Sequence, residues 1–194
     1  MPHPYDTYDA PEVLDRREGP HGEVVLRRHG ELLQIIANGC FLMDTSDGRS
    51  ERLLVDAALN ALDGRPEPGL LIGGLGVGFS LAHAAADSRW GGITVVEREH
   101  AIVDWHLRGP LSALSATALA DPRTRVLETD LVTYLHETSD TYDAAVPRHR
   151  QRARLDGHGR QRRPVLDGRT GRLRKGVETR RGTGGMVGTA LSGI

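Results

Sequence analysis

Cysteine is almost absent from this chain. Cys40 is the only one in 194 residues, so no intrachain disulfide can form and no cage of cysteine thiolates can hold zinc. That favours a reducing compartment. Long apolar runs are missing too: nowhere do about eighteen apolar residues stand together, the length that a bilayer-crossing helix needs. The opening stretch, MPHPYDTYDAPEVLDRREGP, contains no apolar segment of the kind a secretory leader carries. The expected location is the cytoplasm, with no membrane partner. Aromatic residues make up only 4% of the chain, and residues 147–194 have none.

A net charge of -1 conceals an uneven distribution. Residues 147–194 hold thirteen Lys and Arg against three Asp and Glu, a balance of +10. Residues 1–146 hold twelve against twenty-three, a balance of -11. The chain therefore consists of two unlike parts.

The first part has a clear rhythm. Residues 1–22 are polar and proline-bearing and are expected to be loose. Residues 23–48, EVVLRRHGELLQIIANGCFLMDTSDG, give two or three antiparallel strands, with turns at Gly30 and at Asn38-Gly39. Residues 49–146 then alternate between helix and strand. Ser50 is positioned to cap a helix whose face would be Leu53, Leu54, Ala57, Ala58, Ala61 and Leu62, and Gly64 to end it. GLLI, GITVVE, TRVLE and YDAAV read as four strands, with helices after the first three. Such alternation predicts a mainly parallel sheet with helices on its faces.

Chemistry concentrates at the carboxyl ends of those strands. Gly74-Leu75-Gly76-Val77-Gly78 lies between a strand and a helix, where bare backbone amides and a helix N-terminus favour a negatively charged or polar ligand group. Glu97 ends the next strand, nineteen residues after Gly78, where a carboxylate can accept both hydroxyls of a ribose. Asp130 follows the third strand, placed either to face the same crevice or to cap the helix that starts at Leu131. The other candidates are weaker. His100 and His106 have no carboxylate at a helical metal spacing, Trp105 fits a core position, and Ser80 stands outside the G-x-S-x-G elbow. No metal is expected.

In order, GLLIGGLGVGF, ITVVERE, RVLETD and YDAAV resemble the first four strands of a class I S-adenosylmethionine-binding fold, specifically its spermidine synthase-like branch. The hairpin and DTSDGRSERLLVDAAL resemble the N-terminal extension of that branch, so the likeness covers roughly residues 23–146. It implies an α/β, Rossmann-like class I methyltransferase fold, cut short after the fourth parallel strand. It implies S-adenosylmethionine or decarboxylated S-adenosylmethionine as a co-substrate: Gly74, Gly76 and Gly78 at the methionine moiety, Glu97 at the ribose and Asp130 at the adenine. It also implies a homodimer in intact relatives.

Departures fall on the acceptor side. Spermidine synthases resemble GGGDGG at the loop, where the acidic residue helps hold the amino end of the donor, and this chain has Val77 there. Their Tyr-His-Glu segment corresponds to the region of Ser50-Glu51-Arg52, without a match. In the family, the acid after the fourth strand accepts the proton of the attacking amine, which must be neutral to have a lone pair. Pro147-Arg148 follows that strand here, so the expectation is a donor-binding chain with no catalytic residue. A methyltransferase is the nearest alternative enzyme.

Residues 147–194 admit two readings. As a basic, glycine-rich arm they would track phosphates, making the chain a nucleic-acid-binding module. The lack of aromatics for base stacking counts against that. The preferred reading is that this segment is coding sequence translated one base out of frame. A one-base offset permits, over residues 147–155 and 175–187, segments resembling the end of the fourth strand and the Pro-Gly-Gly turn and fifth strand of the same fold.

Overall fold

The structure, a computed structural model, describes residues 10–147. The tail, with the arm and frame readings attached to it, lies outside the described residues.

An antiparallel sheet comes first, built from β1 (Glu12–Gly19), β2 (Gly22–His29), β3 (Leu32–Ala37) and β4 (Cys40–Asp44) in that spatial order. It has four strands where the sequence suggested two or three. The additional one, β1, falls within the stretch expected to be loose. Its sequence EVLDRREG lacks regular apolar alternation, and the strand is held by its neighbours: Arg16 pairs with Glu23 and Arg28 with Glu12 across the β1–β2 ladder. The Asn38-Gly39 turn behaves as predicted, with φ of 50° and 73°, both left-handed as a two-residue hairpin turn requires. Asn38 also accepts the Glu23 N–H and donates to the His21 carbonyl, tying two turns together.

The second layer begins with α1 (Arg49–Asn60). Ser50 does not cap it; its hydroxyl bonds to Glu51, the N-cap is Gly48, two positions earlier and without a side-chain cap bond, and Asp47 accepts the Arg49 N–H. The buried face is also rotated. Val55 and Leu59 point inward, while Leu53 and Leu54 are 58% and 52% exposed. Two contacts with α2 (Phe79–Ala86) set this rotation: His83 meets Asp56 at 2.7 Å, and the Arg52 guanidinium lies over the Phe79 ring.

The parallel sheet contains β5 (Gly69–Gly73), β6 (Gly92–Glu97), β7 (Thr124–Glu128) and β8 (Ala144–Pro147), ordered β7-β6-β5-β8. Helices α3 (His100–Leu107), α4 (Ser112–Leu119) and α5 (Leu131–Glu137) connect them with α2. Central strands β5 and β6 are nearly continuous apolar runs because both of their faces are covered. Among the described residues β8 pairs only with β5, so it is an edge.

The two sheets share one core, in which Val24, Leu26 and Ile35 join Leu70, Ile72, Val95 and Trp105. Each such side chain contributes about 1.5–3 kcal/mol on burial. Polar contacts fix the join. The Trp105 indole N–H donates to Asp15 at 2.8 Å, and Arg17 bridges to Asp104 at 2.8 Å.

Candidate functional site

The glycine loop leaves β5 and turns sharply into α2. Gly74 and Gly78 have φ of 109° and 97°, a conformation in which a side chain is strained. Gly78 is also crowded: a Cβ there would sit 2.9 Å from Cε1 of His106. That imidazole is 1% exposed. Its Nε2–H donates to the Gly76 carbonyl at 2.8 Å, and its Nδ1 accepts from the Ser115 hydroxyl at 2.7 Å. Burial lowers the His106 pKa, so the ring is neutral and its tautomer is set by the Gly76 carbonyl.

Glu97 ends β6 almost fully buried, at 5% exposure. Oε2 accepts the Leu75 N–H at 2.8 Å, and Oε1 accepts the Glu99 N–H at 3.0 Å. The carboxylate thus clamps the glycine loop to the end of the neighbouring strand. An ionised carboxylate offers about four lone-pair sites, so these two bonds leave acceptor capacity on each oxygen.

Asp130 stands where β7 passes into α5. Its Oδ1 accepts the N–H groups of Val132 and Thr133 at 2.9 and 3.1 Å, which makes it the helix cap that one reading of the sequence proposed. The Thr133 N–H is the main cause holding its pKa below the usual carboxylate value. Oδ2 makes no hydrogen bond among the described residues. The Thr129 N–H donates to the Glu97 carbonyl at 3.1 Å, which draws the ends of β6 and β7 together.

These elements enclose a cavity of about 170 Å³. Gly74, Glu97 and Asp130 line it, together with Arg98, Glu99 and Leu42. Gly76 and Gly78 do not; they shape the loop against His106 instead. Of the lining residues that sequence reasoning missed, three stand out: Leu42, Arg98 and Glu99. Leu42 comes from β4, whose packing over the site no local pattern announces. Arg98 and Glu99 directly follow Glu97, and that adjacency was the available signal. Glu99 is buried at 6% exposure, with Oε1 3.1 Å from the Arg98 Nε. A larger groove of about 450 Å³, lined by Gly69, Thr94, Arg125 and Tyr142 among others, opens at the opposite ends of the strands. In open α/β sheets ligands lie beyond the carboxyl ends, and the glycine loop is there too, so the smaller cavity is the candidate.

Of known structures, a spermidine synthase in complex with the transition state analogue AdoDATO superposes with a TM-score of 0.61, at 15% identity, covering 72% of this chain and 47% of that one. Spermidine synthase from Thermotoga maritima gives 0.57, at 15% identity, covering 71% and 46%. No protein-family model and no curated protein matches the sequence. The fold is therefore α/β and Rossmann-like with a parallel sheet, and these spermidine synthases share it over the matched region. This chain combines that parallel sheet with an antiparallel N-terminal sheet, and it spans about half the length of the solved structures it matches.

Proposed function

We propose that this chain is a spermidine synthase-like, transferase-fold protein that binds the adenosine part of S-adenosylmethionine or decarboxylated S-adenosylmethionine. Glu97 uses its spare lone pairs for the ribose hydroxyls. The free Oδ2 of Asp130 accepts the adenine amino group, and Gly74 presents backbone to the methionine-derived arm. Gly76 and Gly78 serve the ligand by holding the loop in shape. The observation that carries this reading is the meeting of Gly74, Glu97 and Asp130 in one cavity at the carboxyl ends of adjacent strands. A spermidine synthase that superposes on this chain is in complex with AdoDATO, which favours a donor of this type.

Transfer itself has no support from these residues. Val77 occupies the loop position where an acid would hold the amino end of the donor, and Pro147, the last residue of β8, is followed in sequence by Arg148 where a proton acceptor would stand. The cavity, about 170 Å³, is also below the about 300–1,000 Å³ of complete small-molecule sites. The chain is thus a cytoplasmic relative of polyamine-forming transferases that retains donor binding without aminopropyl transfer. Titration calorimetry of the full chain with methylthioadenosine tests this. Saturable binding without turnover of decarboxylated S-adenosylmethionine and putrescine is expected; absence of binding would refute it.

A further inference from the structure

His106 lines no part of the cavity, yet it holds the glycine loop that borders it. Gly78 packs directly on the ring, and both ring nitrogens are hydrogen-bonded. Ser115, equally buried, gives these bonds a second arrangement. Its Oγ lies 2.7 Å from Nδ1 and 3.4 Å from the Leu111 carbonyl, and its single proton can go to either. With the ring neutral, the hydroxyl donates to Nδ1. With the ring protonated, Nδ1–H donates to Oγ and the hydroxyl proton turns to Leu111. Nε2–H stays on the Gly76 carbonyl in both, so a proton enters without orphaning a buried polar group. Burial opposes that proton, while the Gly76 carbonyl and Glu97 favour it.

Few other charges reach this ring. The glycine loop and α4 carry none, and Glu97 at the end of β6 is the charge that acts on it. Asp15 and Arg17 of β1 are engaged by Trp105 and Asp104, and Arg108 also pairs with Asp104. His83 of α2 meets Asp56, and His100 at the start of α3 meets Glu128. A proton on His106 therefore changes the charge beneath the loop by one unit, with only Glu97 to offset it. We infer that His106 is a specificity-determining and positioning residue: neutral, it holds the loop for a sulfonium ligand; protonated, it disfavours that ligand against the matching thioether. This rests on the nucleoside reading above. There Glu97 takes the ribose and Gly74 faces the methionine-derived arm. The sulfur joins those two parts, so it lies between them, beside the stretch of loop that His106 supports. A sulfonium is positive at every pH, and like charges repel most strongly where water is excluded.

Calorimetry of the full chain with methylthioadenosine and with its S-methylated sulfonium, in steps from about pH 7 to about pH 5, tests this. The two ligands share one adenosine and differ by a methyl group and a charge, so their affinity ratio isolates what senses the charge on sulfur. Preference for the sulfonium should fall about 3- to 30-fold toward acid pH, the range two unit charges exert across a protein interior of ordinary effective dielectric. The midpoint should match that of the His106 imidazole, followed by nitrogen NMR. By reciprocity, bound sulfonium should depress that midpoint and bound thioether should not. His106→Gln, uncharged throughout, should keep a constant ratio. Should thermal melting show that this variant is unfolded, the NMR midpoints of the unsubstituted chain with each ligand decide. A ratio that stays flat in the unsubstituted chain, or falls equally in His106→Gln, would overturn the role of His106 while leaving the nucleoside reading intact. Failure of methylthioadenosine to bind at neutral pH would remove both.

Discussion

Trp105 and Asp15, ninety positions apart, are joined by a 2.8 Å hydrogen bond from the indole N–H to a carboxylate oxygen. Through it the antiparallel sheet, which brings Leu42 to the cavity, is fastened to α3, which starts just after Glu97 and Glu99. The Trp105 hydrogen bond is the first cause of the lowered Asp15 pKa. Trp105→Phe keeps most of the apolar volume and loses the donor. It should cost about 1–3 kcal/mol, the usual penalty for unpairing a charged acceptor. Urea unfolding followed by circular dichroism measures that loss.

Gly78→Ala tests the loop. A methyl group there meets a φ of 97° and lies 2.9 Å from the His106 ring. Strain and crowding together should cost about 1–3 kcal/mol. Gly64→Ala, also at positive φ but with open space around it, should cost only the conformational strain, on the order of 1 kcal/mol. Thermal melting of the pair separates crowding from strain.

His106 should make stability depend on pH. Its folded pKa lies below the ordinary 6.5 because burial disfavours the cation. The unfolded chain therefore binds the extra proton first. The stabilising contribution is complete above about pH 6.5 and is lost as pH falls from there toward the folded pKa, by up to about 1.4 kcal/mol per pH unit. Denaturant titrations between neutral and mildly acidic pH should show that slope, and His106→Gln should lack it.

The tail makes a prediction outside protein chemistry. If residues 147–194 are an out-of-frame translation, the coding DNA read one base aside from codon 147 must continue the fold with a fifth strand. Sequencing that DNA, or sequencing transcripts across the same point, checks it. An offset reading interrupted by stop codons or devoid of strand-like segments would rule the idea out.

Much of the parallel layer was legible because its strands announce themselves. GLLI and GITVVE are apolar runs of strand length, and the glycine loop and Glu97 mark where they stop. Leu131 through Glu137 was equally readable, since Asp130 is a cap with hydrogen bonds to show for it. Strand β1 was not, because its residues owe their extended form to partners in β2 and α3. On α1, leucines and alanines encircle too much of the helix for a pattern to select one face; contacts with α2 chose Val55 and Leu59. The packing of Gly76 and Gly78 was hidden for a similar reason, as His106, which they meet, lies about thirty positions on.

The central claim is that Glu97 and Asp130 form half of an adenosine site, and calorimetry with methylthioadenosine tests it most directly. The account predicts one saturable site per chain, insensitive to moderate salt and weakened about tenfold or more by Asp130→Ala, which removes the adenine acceptor. A folded chain that gives no heat with methylthioadenosine but binds RNA in a steeply salt-dependent manner would contradict it.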